Sequence, residues 1–149
     1  MKPTSVISPI IRPRFISIRY SDASTTTPLN QASYVFDTDA VVRWITVSAS
    51  FWTSGALSNV GAFLVLNASN NSSIFSTVTT NVLWADELFI PAGVVPFTKG
   101  ASLQIDTKDM LVRSGSTLSL FSYGSNAANS NWSQVMASIA FTNADEFIK

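Results

Sequence analysis

The chain has 149 residues, nine basic and nine acidic side chains that cancel, no histidine and no cysteine. A chain of this length forms one domain that needs no disulfide or metal to hold its core. Its balanced charge gives no field to draw it to nucleic acid or to an anionic membrane, and it lacks the commonest general base, the thiol nucleophile and the strongest transition-metal ligands.

Hydrophobic residues make up 46% of the chain and charged residues only 12%. Much of the surface must therefore be Ser, Thr and Asn, the makeup of an assembly protein. The chain opens on MKPTSVISPIIRPRF. Pro3, Pro9 and Pro13 interrupt any apolar run, so the start does not read as a signal peptide. The same prolines deny a regular ladder, while Val6, Ile7, Ile10 and Ile11 are too apolar for a free linker. The expectation is an extended N-terminal arm over residues 1–13 that lies on a neighbouring chain, followed by a β-sandwich over residues 14–149.

Period-two alternation then dominates. Ile16, Ile18 and Tyr20 mark a first strand, and Tyr34 and Phe36 a second. From Val41 to Trp52 one face reads Val41, Arg43, Ile45, Val47, Ala49, Phe51 and the other Val42, Trp44, Thr46, Ser48, Ser50, Trp52. This places Arg43 on the apolar face, where an unpaired charge would be costly and a carboxylate partner is expected. Residues 60–66, VGAFLVL, are apolar on both faces. The strand is thus either central in a two-layer core or covered by a second subunit, which makes Phe63 and Val65 candidate subunit contacts.

Short strands are expected at residues 74–80, 87–90, 103–105, 110–112 and 118–123, with turns at 91–93, 99–100 and 114–115. Val135, Ala137, Ile139 and Phe141 mark the last strand. NVLWADEL at 81–88 could form a turn or two of helix, the tail ADEFIK another, and Trp84 reads as core. Residues 67–73 and 124–131 read as small polar loops. Nine or ten short strands without long helices must close on each other. The expected fold is all-β, a single β-sandwich of jelly-roll type. The longest apolar stretches fall far short of the ~20 residues of a membrane-spanning helix. Four N-x-S/T sequons, at Asn67, Asn70, Asn71 and Asn131, are what a chain rich in Asn and Ser produces by chance.

Acidic pairs are the minimum machinery for glycoside hydrolysis and the start of a calcium site. Asp37 with Asp39, Asp86 with Glu87, and Asp106 with Asp109 are the candidates. Each is better read as turn chemistry, in which Asp accepts backbone N–H bonds. No nucleophile elbow and no phosphate-binding glycine loop occurs. The chain therefore reads as a non-enzyme without cofactor. Trp44, Trp52, Trp132 and Tyr123 offer flat rings near amides and hydroxyls, positions from which to stack on a glycan or to anchor a subunit interface.

The arm MKPTSVISPIIRPRF, the Ser/Thr-rich strands VVRWITVSASFW, STLSLFSYG and QVMASIAF, and the missing His and Cys together resemble the small jelly-roll proteins of virions. The likeness is greatest to the decoration or cement proteins on the capsids of tailed bacteriophages. It implies a homo-oligomer, with a trimer favoured, attached to a major capsid or other virion protein, assembled in the host cytoplasm and resident in the virion, with no nucleic-acid or membrane partner. It transfers no site residue. The competing reading is a carbohydrate-binding module or fibre head that recognises host glycans through the four aromatics. A shell-forming jelly roll is a third, disfavoured because the arm lacks a basic run.

Overall fold

Strands with one apolar face must close on one another, and here they do so as two sheets. The structure is a computed structural model and describes residues 13–23, 29–53, 58–66, 82–90, 97–124 and 131–147. The described strands are β1 (Arg14–Ala23), β2 (Leu29–Val35), β3 (Ala40–Thr53), β4 (Ser58–Leu66), β5 (Val82–Ile90), β6 (Phe97–Val112), β7 (Thr117–Gly124) and β8 (Asn131–Asn143), followed by a 3₁₀ turn at Ala144–Phe147. One sheet has the order β1-β8-β3-β6 and the other β2-β7-β4-β5, with every pairing antiparallel. The pairs β1·β8, β2·β7, β3·β6 and β4·β5 nest inside one another, like one long hairpin wound into a roll. That is the eight-stranded jelly roll.

The core lies between the sheets. Ile18, Val42, Ile45, Val47, Phe51, Val135, Ala137 and Ile139 of the first sheet meet Val60, Ala62, Leu64, Leu118, Leu120 and Trp84 of the second. At one end Phe36 packs edge-on against Tyr34 and Phe141, with centroids at 5.1 and 5.3 Å, the arrangement ring quadrupoles prefer. Among the polar groups of this interior, the buried Tyr20 hydroxyl meets Ser133 Oγ at 3.0 Å. Burial pushes that phenol far above its ordinary pKa, against the opposing effect of the Ser133 bond.

Several expectations are met and several corrected. The first strand, the last strand and the core position of Trp84 stand as read. Of the stretch expected as a turn or two of helix, residues 82–88 belong to strand β5, because Trp84 and Leu88 bury into the sandwich while Ala85 and Glu87 face out, a period of two. The stretches 103–105 and 110–112 belong to one strand, β6, and so does the Lys99-Gly100 pair expected as a turn. Gly124 and Asn131, the two ends of the loop expected at 124–131, lie in β7 and β8, and Trp132 follows in β8. The strand expected at 74–80, the turn at 91–93, three of the four sequons and all of the arm but Pro13 lie outside the described residues.

The largest correction is on β3. Val42 pairs with Phe141 of β8 and Trp44 with Ala140, so Arg43 is an extra residue bulged out of the ladder. The bulge reverses the facing of everything before it: Val42 is buried and Val41 is not, whereas Ile45, Val47, Ala49 and Phe51 keep their expected inward face. Arg43 therefore lies on the surface, where it pairs with Asp109 at 3.2 Å. Opposite the bulge, β6 makes an excursion at residues 107–109, with Lys108 and Asp109 at φ 49° and 53°. Thr107 Oγ1 donates to the Val42 carbonyl at 2.6 Å, and Asp106 Oδ1 accepts the Lys108 N–H at 2.9 Å, the turn chemistry expected of Asp106.

A second clasp ties three segments. Asp39 accepts the Ser114 N–H at 2.8 Å and an Arg113 N–H at 2.9 Å, and its carbonyl accepts the Ala144 N–H at 2.8 Å. The turn Arg113-Ser114-Gly115-Ser116 closes by a Ser116 N–H to Arg113 carbonyl bond of 3.0 Å, with Gly115 at φ 85°, a position that only glycine takes without strain. The Ser114 N–H bond first, and the Arg113 side chain second, hold the Asp39 carboxyl below its ordinary pKa.

Two outcomes follow from these clasps. Lys108→Gly, which relieves a side chain in the left-handed region, should be neutral or stabilising by up to about 1 kcal/mol in chemical denaturation; a loss of stability would show that the Lys108 side chain contributes more than its backbone costs. Because the Asp39 pKa is depressed in the folded state, its contribution is present above the unfolded carboxyl value of about 4 and lost as pH falls through the folded value. Asp39→Asn should therefore melt lower than the parent at neutral pH and converge with it in acid, and a constant gap across that range would contradict the charge assignment.

Candidate functional site

The two sheets present very different outer faces. On the second sheet part of that face is closed: Val65 and Phe121 are buried together with Phe63 packed against them, and Ser119 is buried with its hydroxyl 2.8 Å from that of Ser33. This resolves the two-faced strand at 60–66. Val60, Ala62 and Leu64 enter the main core, and Val65 has no exposed surface within the chain itself, while Phe63 stays half-buried.

Beside this cluster, the Tyr123 ring stacks on Phe63 with centroids 5.2 Å apart and planes 17° apart. The Tyr123 hydroxyl donates to Glu87 Oε2, and Asn59 Nδ2 reaches the same oxygen at 3.2 Å. Burial first, and the Glu87 carboxylate second, push the phenol well above its ordinary pKa. Asp86 Oδ1 accepts the Glu87 N–H at 2.9 Å, although both residues lie in strand β5 and not in the turn expected for them. Gly61 makes the arrangement possible, because a Cβ there would stand 2.4 Å from Tyr123 Cε1 and 3.0 Å from the Asp86 carbonyl. Sequence reasoning missed this network, since Asn59, Gly61, Glu87 and Tyr123 meet only through the pairings of β4 with β5 and β7.

The outer face of the first sheet is open, and cross-strand register sorts it into rows. Trp132 and Trp52 stand directly opposite each other, 42% and 37% exposed. Next come Ser21, Gln134 and Ser50, then Arg19, Met136 and Ser48, then Ser17, Ser138 and Thr46. The last row is Phe15, Ala140 and Trp44, in which the two rings approach to 5.7 Å across the fully buried Ala140. At about 3.4 Å per residue the aromatic rows lie about 27 Å apart. Between them Arg19, Ser21, Ser48, Ser50, Gln134 and Met136 line a shallow depression of about 620 Å³.

The structure thus brings Trp52 and Trp132 together, sets Trp44 at the other end of the same face, and places Tyr123 on the opposite sheet. Arg19 and the hydroxyl floor were not singled out from the sequence, although their phase is legible as the outward positions of β1 and β8. Val6, Ile7, Ile10 and Ile11 lie outside the described residues. Among the described residues, no three His, Cys, Asp or Glu side chains gather closely enough to hold a metal ion.

No protein-family model matches the sequence, and no curated protein matches it. Among solved structures, the chain is similar to a chain of infectious bursal disease virus, Gx strain, with TM-score 0.43 and 15% identity over 89% of this chain and 32% of that one. It is similar to a chain of Desmodium yellow mottle tymovirus with TM-score 0.40 and 11% identity over 95% of each. For turnip yellow mosaic virus the values are 0.35 and 11%, over 89% of this chain and 94% of that one. The chain spans about a third of the bursal disease virus chain and nearly all of the tymovirus chain. The strand order by itself defines the jelly roll.

The close approach at Gly61 is directly testable. Gly61→Ala should cost about 1–3 kcal/mol by overpacking, and the cost should shrink when Tyr123→Ala removes the ring it collides with, a non-additive pair in a double-mutant cycle. Additive losses would place the collision elsewhere.

Proposed function

We propose that this chain is a non-enzymatic structural protein of a virus particle, joined to neighbouring subunits along the edges of its sheets. A jelly roll by itself does not choose between a shell protein and a lectin or cupin. The observation that carries the reading is the placement of exposed apolar side chains. Phe15 lies on β1, Leu29 and Val35 on β2, Val82 on β5, and Leu103 and Leu111 on β6. Those are the four strands at the ends of the two sheet orders.

Edge strands carry backbone donors and acceptors without a ladder partner on one side, and soluble monomers protect them with charges, prolines or covers. Large apolar groups on every edge instead favour lateral contact, which a closed symmetric ring satisfies without leaving an open end. In this reading the ring is a trimer that decorates or cements the capsid of a bacteriophage, assembled in the host cytoplasm. Residues 1–13 add an arm whose Val6, Ile7, Ile10 and Ile11 dock on a neighbour. Several weak attachments per ring raise the effective affinity of each. Cementing is favoured over shell formation because the arm contains only Lys2 and Arg12 as basic residues, too few to neutralise a genome.

Sedimentation of the full chain tests this. The parent should run as a discrete oligomer, and Phe15→Ser with Leu111→Ser should shift it to monomer while leaving its β-type circular dichroism unchanged. A parent that stays monomeric at high concentration, or a doubly substituted chain of unchanged mass, would contradict the edge-contact reading. Closed shells formed by the chain alone would replace cementing with shell formation.

A further inference from the structure

We infer that the outer face of the β1-β8-β3-β6 sheet is a binding platform for an acidic polysaccharide, gripped by Trp52 and Trp132 and read by Arg19. This inference stands on the face itself and not on the virion reading. Of the nine exposed large apolar side chains among the described residues, six are on edge strands, and the three on interior strands are Trp52, Trp132 and Met136. All three point to this one face.

The layout of the face selects the class of partner. A protein interface has an apolar centre and a polar rim. Here the middle is mostly polar, with Ser48, Ser50 and Gln134 around the single apolar Met136, and the aromatic rows lie at the two ends. A nucleic acid would need a run of cations, and among the described residues of these central rows only Arg19 is charged. A chain of sugars fits both features. Its rings carry apolar C–H faces that stack on tryptophan, and its hydroxyls need partners that both donate and accept, as Ser hydroxyls and Gln amides do.

Charge then narrows the sugar. Arg19 is exposed beside the depression and forms no ion pair among the described residues. Its guanidinium can take a carboxylate in a two-pronged geometry that a neutral sugar cannot use. The depression, at about 620 Å³, has the size of a small-ligand site. Ser21, Ser48 and Ser50 of the floor lose little side-chain entropy when a ligand settles on them, whereas Arg19, Gln134 and Met136 must be ordered.

The test is titration of the full chain with oligogalacturonate, a chain of carboxylate-bearing sugars, against dextran oligosaccharides as the neutral control, followed by tryptophan fluorescence. Oligogalacturonate should bind and dextran should bind at least about tenfold more weakly, with the difference narrowing as salt rises. Trp52→Ala and Trp132→Ala should each weaken binding about tenfold or more. Arg19→Gln should remove the preference over dextran, and Arg19→Lys should restore part of it. These side chains face solvent, so circular dichroism should be unchanged in each variant. Binding that survives both tryptophan substitutions, equal binding of the two sugars, or no binding of either would overturn the proposal. So would a fall in oligomer mass on Trp52→Ala, which would give this face to a second copy of the chain. Leu111→Ser alone, on the β6 border and in neither aromatic row, should leave sugar binding intact, so failure of this inference and failure of the edge-contact reading are told apart.

Discussion

The single extra residue at Arg43 sets the side-chain phase of β3, and most of the molecule depends on that phase. β3 is bonded along its length to both β8 and β6. A strand in that position cannot slip by one residue without turning its whole apolar set outward. The bulge lets Val42 and Ile45, three positions apart, both face the core, and it leaves Trp44 over Ala140 on the solvent side. The cost of the irregularity is met locally by the Thr107 bond to the Val42 carbonyl, the Asp106 bond to the Lys108 N–H and the Arg43–Asp109 pair. Since that pair is solvent-exposed its own contribution is small, and its more important role is to mark where the register changes.

From that phase follows the difference between the two outer faces. The β2-β7-β4-β5 sheet spends its outward residues on a closed cluster around Phe121 and on the Tyr123–Glu87 network. The β1-β8-β3-β6 sheet spends most of its outward residues on hydroxyls, amides, the Arg19 guanidinium, Met136 and aromatic rings that are exposed or half-exposed. Edges and face then separate two kinds of contact: aliphatic and phenyl groups along the sheet borders suit subunit packing, and indoles above small hydroxyls suit sugars. One small domain can thus hold its neighbours laterally while keeping a face free for a second ligand.

The sequence made the architecture legible wherever alternation was regular. Ile16, Ile18 and Tyr20, and Val135 through Phe141, declare their faces by period alone, and the absence of helix-length periodicity directs all of them into a sandwich. What was not legible has a physical cause in each case. The bulge at Arg43 does not break the alternation after it, so nothing in VVRWITV distinguishes a charged residue on the core face from one expelled from the ladder. VLWADEL mixes helix-favouring Ala, Glu and Leu with a strand period, and burial of Trp84 and Leu88 decides in favour of the strand. Of the candidate site, three of the four aromatics share one face. Their grouping depends on cross-strand register, and Tyr123 differs from them only by the sheet to which β7 belongs.

The central claim is that the sheet borders meet neighbours and the open face does not. Amide hydrogen exchange of the chain, compared below and above the concentration at which it associates, tests this most directly. The account predicts added protection along β1, β2, β5 and β6, with unchanged exchange in β3 and β8 beneath the serine floor. Protection that builds on β3 and β8 while the border strands exchange as in the free chain would contradict it.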